Sequence, residues 1–298
     1  MTRNTPRVAY ALVNLAALLW ASNFALGRLL RDDIGSFTLT AARFTIAAVI
    51  LTIVGLRLPL EERKLGRQWL PILGMGLTGV FGFGSLLYSG LRYTTATNGS
   101  LIHGTGPLII GLVAALTLGE RFTRRAVVGG VISLVGVAIV VSGGSLAALA
   151  RQQYNVGDLL VLASVVDWGI YSALTRVVTR SRSALSATWL STCLALPVLW
   201  VAAAWELPAR PVTMSWPVLL AVLYIGVAPS VVAYLAWNEG VRRVGPAKAT
   251  AFFNMLPFFG ALIGVLWLGE PFSLAQLLGG GLIIAGSLIT VWTDLRSK

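Results

Sequence analysis

Charged residues are scarce in this sequence. Only 11% of the 298 residues are Asp, Glu, Lys or Arg, whereas 56% are hydrophobic. A soluble domain has roughly 25% charged residues. The chain therefore has too little charge to cover a surface that faces water, and we expect most of its surface to face lipid. Only short connections separate the apolar stretches, which leaves no room for a soluble domain.

Cysteine and histidine are almost absent. Cys193 is the only cysteine, which rules out an intramolecular disulfide. His103 is the only histidine, which rules out a metal site built from several histidines. No lysine follows a glycine-rich loop of the Walker type, so ATP is not the expected energy source. The sequence gives no sign of a metal, a cofactor or a catalytic nucleophile, and we do not expect an enzyme.

Long apolar runs make up most of the chain. A helix needs about 20 mostly apolar residues to cross a bilayer, and these runs are too long for the strands of a membrane barrel. We therefore predict an all-α polytopic membrane protein with ten transmembrane helices. The predicted spans are 8–28, 35–56, 69–91, 95–118, 125–143, 156–178, 184–204, 216–240, 247–268 and 274–293.

The net charge of +12 is unevenly distributed between the two ends of these spans. If the N-terminus is cytoplasmic, most of the 23 Lys and Arg residues fall in loops on the inner side. Such a bias is the usual sign of orientation in a membrane. It predicts that both termini are cytoplasmic. The basic charge thus indicates membrane topology, with the lipid bilayer as surroundings, and does not indicate a nucleic-acid partner.

One pattern occurs twice along the chain. Gly90-Leu91-Arg92 is matched by Gly240-Val241-Arg242, 150 residues later. The same spacing relates Pro107 to Pro257, Glu120 to Glu270, and Gly136 to Gly286. Near the start of each copy, Trp20 is matched by Trp168, 148 residues later. A spacing held over this length predicts a duplicated unit.

The predicted number of spans in each copy is odd, so the second copy enters the membrane from the opposite face. We predict a first five-helix repeat over 1–147 and a second, inverted repeat over 148–298. Inverted repeats are typical of transporters, which have their substrate site near the middle of the membrane between the halves. The sequence therefore predicts transport of a small molecule by alternating access.

Several segments resemble those of the EamA-type drug/metabolite transporter superfamily. They are Leu-Trp-Ala-Ser-Asn-Phe at 19–24, Ala-Ala-Arg-Phe at 41–44, Leu-Gly-Glu at 118–120 and 268–270, and Ala-Tyr-Leu-Ala-Trp-Asn-Glu-Gly-Val-Arg at 233–242. The resemblance covers essentially the whole chain. It implies ten helices in two inverted halves, a place in the bacterial inner (plasma) membrane, and export of amino acids or other small metabolites. Aromatic or hydrophobic amino acids are the favoured substrates.

Two alternatives stay open at this point. A transporter of the same fold could export drugs, nucleobases or cationic compounds, although few acids line the predicted spans. A membrane enzyme that acts on lipid would need Asp167 and His103 as an acid–base pair. Proton coupling and simple facilitated flux are both compatible with the sequence.

Three ionisable residues lie deep in predicted spans, where such residues are costly and often functional. Arg43 is a candidate to bind a substrate carboxylate. Its alternatives are an internal salt bridge, for example to Asp167, or a side chain that extends to the outer interface. Asp167 is a candidate for a substrate ammonium group or a proton, or else bonds a neighbouring helix. His103 lines the cavity or titrates, or else is a packed neutral imidazole.

Aromatic and polar side chains complete the predicted substrate site. Trp20 and Trp168 are at mid-depth, away from the interface where Trp is most common. They could form cavity walls for apolar side chains or for an ammonium group, or simply pack the bundle. Asn23 and Tyr171 follow them by three residues on the same helix face. The other candidates are Tyr88, Ser100, Tyr234, Trp237, Asn238 and Asn254. Of these, Tyr234 and Asn238 are expected nearer the cytoplasm and belong either to the substrate site or to a gate.

Glycine and proline predict local features. The cluster of glycines between residues 74 and 84 predicts close helix contact or a flexible wall in the third span. Pro107 and Pro257 are expected to kink the fourth and ninth spans. Leu-Gly-Glu is expected to end both spans with a glycine cap. Glu120 and Glu270 then accept hydrogen bonds from amides that open the next helix.

Overall fold

A computed structural model describes residues 5–30, 32–94, 99, 102–121, 123–145, 147, 150, 151, 155–268 and 273–296. These residues form helices and connections without strands, which confirms the all-α prediction. The long helices are α1 (Thr5–Leu29), α2 (Ser36–Gly55), α3 (Trp69–Met75, Gly76–Gly82 and Phe83–Tyr93), α4 (Gly106–Leu118), α5 (Arg124–Ser142), α6 (Val156–Val178), α7 (Ala184–Glu206), α8 (Trp216–Val227, Ala228–Val232 and Ala233–Val244), α9 (Met255–Leu268) and α10 (Leu274–Arg296).

Several of these helices are suited to a lipid environment. Within the described ranges, six are long and apolar enough to cross a membrane: Ser36–Gly55, Leu60–Tyr93, Arg124–Ser142, Val156–Val178, Ala184–Glu206 and Trp216–Val244. Gly106–Leu118 and Leu274–Thr290 are shorter apolar helices. The chain is therefore a multi-pass membrane protein. The ten-span count, the inverted repeat and the cytoplasmic termini stay predictions.

Helices α3 and α8 each contain a π-helical turn, over Gly76–Gly82 and Ala228–Val232. The last residues of the two turns, Gly82 and Val232, are 150 residues apart in the sequence. In α3 the glycines allow close approach, because the Tyr171 ring and the Asp167 carboxylate occupy the space that a Cβ would need at Gly79 and Gly82. The predicted close contact is therefore confirmed, whereas the π turns were not predicted. Such turns are frequent at functional sites.

Helices α5 and α10 pack against each other through glycines. A Cβ at Gly136 would lie 2.6 Å from the carbonyl oxygen of Gly279, and one at Gly279 would lie 2.6 Å from that of Gly136. Gly129 makes the same reciprocal contact with Gly286. Gly129 precedes Gly136 in α5, but its partner follows Gly279 in α10. The two helices therefore run antiparallel.

The third helix of each predicted half packs on the first helix of the other half. Gly90 of α3 meets Gly157 of α6, where a Cβ would lie 2.8 Å from the Gly157 carbonyl oxygen. Gly240 of α8 meets Val13 of α1. The core therefore lies between the halves, with α1, α3, α6 and α8 around it.

Both prolines follow a break in the helix, near the kinks predicted for the fourth and ninth spans. Pro107 lies in the first turn of α4, which a turn at Thr105 separates from the helical residues 102–104. Pro257 lies in the first turn of α9, which follows the short helix Pro246–Ala249, the 3-10 turn Thr250–Phe252 and a turn at 253–254. Gly119 caps α4 in the left-handed conformation, as predicted, with φ of 65°. Glu120, however, does not bond the start of α5. Its Oε2 accepts from the Ala247 amide at 3.1 Å, at the short helix Pro246–Ala249.

Glu120 is partly buried in the connection between α4 and α5. Burial raises the pKa of its carboxyl, and this effect outweighs the Ala247 amide and the nearby Arg176, Lys248 and Arg180, which lower that pKa. Glu270 lies outside the described residues, so its predicted role is not tested.

Candidate functional site

Five rings meet at the centre of the bundle and form what we call the central ring cluster: Trp20 from α1, Trp168 and Tyr171 from α6, and Tyr234 and Trp237 from α8. Trp20 contacts Trp168 edge-on, with ring centroids 5.0 Å apart. Tyr171 stacks on Trp168 at 4.7 Å. Tyr234 and Trp237 lie 5.4 and 5.6 Å from Trp168. None of the five is more than 6% exposed. The cluster joins the two predicted halves, because Trp20 comes from the first and the others from the second.

Further rings extend the cluster. Phe83 lies 4.8 Å from Trp168, and Phe44 lies 5.4 Å from Tyr234. His103 stacks on Phe253 at 5.9 Å, and Phe253 in turn contacts a ring of the cluster. The predicted place of His103 in a central wall is consistent with this packing. The three phenylalanines were not predicted.

The two π turns accept hydrogen bonds from rings of the cluster. Trp20 Nε1 donates to the Pro229 carbonyl at 3.1 Å, and Tyr234 Oη donates to the Gly79 carbonyl at 2.6 Å. Gly79 and Pro229 are themselves related by the 150-residue spacing. Each predicted half therefore donates one ring hydrogen bond to the π turn of the other. Tyr234 lies in the central ring cluster, and its alternative role as a gate nearer the cytoplasm stays a prediction.

A polar group borders the cluster in the first half. Arg43 Nη1 donates to Tyr88 Oη at 3.0 Å, and Tyr88 Oη donates to Asn23 Oδ1 at 2.9 Å. All three side chains are buried. The alternative of a salt bridge between Arg43 and Asp167 is wrong, because no acid among the described residues forms an ion pair with Arg43.

A second polar group borders the cluster in the other half. Asn238 Nδ2 donates to Tyr171 Oη and to Thr188 Oγ1, both at 2.7 Å. Thr175 Oγ1 donates to Asn238 Oδ1 at 3.4 Å. Asn238 is fully buried beside Tyr171, and its alternative role as a gate also stays a prediction. The roles of Thr175 and Thr188 were not predicted.

The remaining candidates occupy separate positions. Asp167 is partly buried, and its carboxylate lies against Gly82 of the π turn in α3. Asn254 is fully buried between the 3-10 turn Thr250–Phe252 and α9, and its amide has no hydrogen-bond partner among the described residues. Ser100 lies outside the described residues.

Chemically, this site offers an apolar aromatic interior with polar groups at two edges. Trp237 Nε1 donates to Ser172 Oγ at 3.2 Å, whereas Trp168 Nε1 has no acceptor among the described residues although it is fully buried. Sites of this kind bind small molecules with an apolar body and a few polar atoms.

The sequence is similar to those of known transporters. The sequence matches the model of the EamA-like transporter family twice, over residues 7–142 and 155–292. It is 29% identical over 255 residues to the uncharacterised transporter YyaM of Bacillus subtilis (strain 168), covering 83% of this chain and 82% of that protein.

Two further relatives have names that include a substrate. The chain is 30% identical over 288 residues to a probable terminal-alkyne amino-acid exporter of Streptantibioticus cattleyicolor, covering 95% of this chain and 93% of that protein. It is 27% identical over 237 residues to the aromatic amino acid exporter YddG of Ancylobacter novellus, covering 80% and 81%. A crystal structure with 24% identity aligns with a TM-score of 0.80 over 97% of this chain and 99% of that chain, which shows a shared fold.

Proposed function

This chain belongs to the EamA-like transporter family, and we propose that it exports amino acids with aromatic or hydrophobic side chains, or closely related metabolites, by alternating access across the bacterial inner membrane. The single observation that carries the proposal is the central ring cluster. Its five rings come from both halves, are buried, and make offset or edge contacts with one another. An aromatic or aliphatic side chain can replace these ring–ring contacts with contacts of the same kind.

The antiparallel packing of α5 and α10 supports the inverted repeat. Gly136 and Gly286 are repeat partners, as are Gly129 and Gly279. The contacts join Gly129 to Gly286 and Gly136 to Gly279. Helices that are equivalent in the two repeats therefore run in opposite directions, which is the arrangement expected of an inverted duplication. We propose two five-helix halves, at 1–147 and 148–298, with both termini in the cytoplasm.

The relatives support the substrate class. One is named as an exporter of terminal-alkyne amino acids and another as an exporter of aromatic amino acids. Both names describe an amino acid with an apolar side chain. The ring cluster provides the apolar contacts, and the two polar groups at its edges provide hydrogen bonds for the amino and carboxylate groups.

The two hydrogen bonds to the π turns support a mechanism in which the halves move apart. For a substrate to enter, the rings of the cluster have to separate, and the bonds from Trp20 to Pro229 and from Tyr234 to Gly79 then break. The substrate replaces the lost ring contacts. Opening on one side and then on the other carries it across the membrane.

Asp167 is the residue that we propose for proton coupling. Its carboxylate lies within α6, beside the π turn of α3, and no described residue forms a hydrogen bond or ion pair with it. An ionisable group in a membrane helix is costly and is often part of a proton path. Protonation of Asp167 would remove a charge next to a turn that takes part in opening.

Uptake of labelled amino acids into liposomes that contain the purified protein tests the proposal. We expect saturable flux of phenylalanine and tryptophan that is lost in Trp168→Ala and retained in Trp205→Ala, because Trp205 is 81% exposed. A pH gradient should accelerate this flux in the wild type and not in Asp167→Asn. Absence of flux for every amino acid would refute the substrate class.

A further inference from the structure

Arg43 is a buried cation, and no acid among the described residues forms an ion pair with it. Its side chain is 2% exposed. Nη1 donates to Tyr88, while Nε has no acceptor among the described residues. Nε and Nη2 share one edge of the planar guanidinium. The Tyr234 hydroxyl, which donates to the Gly79 carbonyl, also lies beside the guanidinium and leaves Nε without an acceptor. Gly84 borders Nη2, and a Cβ there would lie 3.5 Å from it.

An unpaired buried guanidinium is unfavourable. It stays protonated, so it cannot become neutral to escape the cost of burial. Its position over the Phe44 ring, 4.5 Å from the centroid, compensates part of that cost through a cation–π contact. Nε still requires an acceptor, and the parallel N–H groups of Nε and Nη2 match the two oxygens of a carboxylate.

The two halves differ at this position although the surrounding geometry is related. Tyr171 lies 148 residues after Asn23, and Asn238 lies 150 residues after Tyr88, so an Asn–Tyr hydrogen bond occurs in both halves with the two side chains exchanged. The 148-residue spacing also relates Arg43 to Ser191. One of the two polar edges of the ring cluster therefore contains a cation, and the other is neutral.

We propose that the Nε–Nη2 edge of Arg43 binds the carboxylate of the transported molecule and so fixes its orientation in the site. This inference rests on the proposed function and names its substrate class: apolar carboxylates, amino acids among them. The apolar body lies on the central ring cluster, and the acid end points to Arg43 and Tyr88. If both polar edges of the ring cluster were neutral, the substrate could bind in either of two opposite orientations.

The test compares three probes on the full-length protein: phenylalanine, phenylalaninamide, which lacks the carboxylate, and 3-phenylpropionate, which lacks the amine. We expect the wild type to bind phenylalanine at least about tenfold more tightly than the amide, since a charge-assisted pair is lost. Arg43→Gln should reduce that ratio to about one, and Arg43→Lys should preserve part of it. Ser191→Ala, at the related position, should leave it unchanged.

The readout is a ratio of two affinities in the same protein, so a smaller folded fraction of a variant does not change it. Equal binding of acid and amide by the wild type, or an unchanged ratio in Arg43→Gln, would overturn the carboxylate site while the proposed function stands. Binding of 3-phenylpropionate that depends on Arg43, without transport of any amino acid, would support the site and refute the proposed function. If none of the three probes binds, both are wrong.

Discussion

Replacement of Tyr234 by phenylalanine should weaken the packing between the two halves. The ring keeps its contacts with the cluster, so the change removes one oxygen and the hydrogen bond to the Gly79 carbonyl. Tyr234 is 1% exposed and Gly79 is buried, so the carbonyl would lose its donor in a buried place. The variant isolates the bond between α8 and the π turn of α3.

The size of the effect follows from burial. A buried acceptor left without a donor costs about 1–3 kcal/mol. Hydrogen bonds between membrane helices average about 0.6 kcal/mol and reach about 1.7 kcal/mol. The 2.6 Å length and the fully packed surroundings place this bond in the upper part of the membrane range, and we expect a loss of about 1–2 kcal/mol.

Thermal unfolding of the purified protein in detergent measures this loss, and the midpoint should fall by several degrees. Tyr93→Phe is the matched control, because its side chain is 63% exposed at the end of α3. If Tyr234→Phe unfolds at the same temperature as the control, the bond to the π turn does not hold the halves together and the reasoning is wrong.

Three other predictions, on helix packing, a buried amide and pH dependence, have definite expected results. Gly136→Ala should destabilise the protein, because the new Cβ would lie 2.6 Å from a backbone oxygen of α10. Gly281→Ala should be neutral or stabilising by up to about 1 kcal/mol, because nothing lies within 4 Å of its Cβ position. A lower unfolding midpoint for the first variant and not for the second would confirm the packing. Asn238→Ala should cost about 1–3 kcal/mol, because three buried hydroxyls lose a partner, and equal unfolding midpoints for the variant and the wild type would contradict this. The raised pKa of Glu120 means that the native state holds the proton more tightly than the unfolded state. The contribution of Glu120 to stability is present below the ordinary glutamate pKa and is lost as pH rises through the raised value. The unfolding midpoint should therefore depend less on pH over this range in Glu120→Gln than in the wild type.

The helices could be predicted closely wherever an apolar run is bounded by polar residues. The second span, predicted at 35–56, is observed as Ser36–Gly55, and the seventh, predicted at 184–204, as Ala184–Glu206. The fourth span was predicted at 95–118. Among its described residues, 99, 102–104 and 106–118 are helical, with a break at Thr105. Composition does not indicate the residue at which such a helix breaks, because Gly and Pro are compatible with both a helix start and a helix interior in lipid.

The candidate site was predicted in part, because two tryptophans at repeat-related positions indicate a shared location. The hydrogen bonds that join the halves could not be predicted, since they connect residues such as Trp20 and Pro229 that no local pattern relates. Phenylalanine is common on lipid-facing surfaces, so Phe44 and Phe83 gave no signal. Phe253 did have a signal in the sequence, because it lies 150 residues after His103. The two rings stack in the structure.

The residues that differ between related positions are where a duplicated transporter acquires direction. Contacts that are equivalent in both halves, such as the reciprocal glycine contacts of α5 and α10, favour neither side of the membrane and neither orientation of the substrate. A preferred side and a preferred orientation both require different residues at positions that the repeat spacings relate. At the centre the repeat spacings give unequal pairs: Arg43 with Ser191, Gly84 with Tyr234, and Leu87 with Trp237. The first places a charge on one edge of the ring cluster, and the other two place most of the rings in the second half. An amino acid bound in the proposed site would therefore meet a cation on one side and aromatic rings on the other, and the difference between the two predicted halves would determine its orientation.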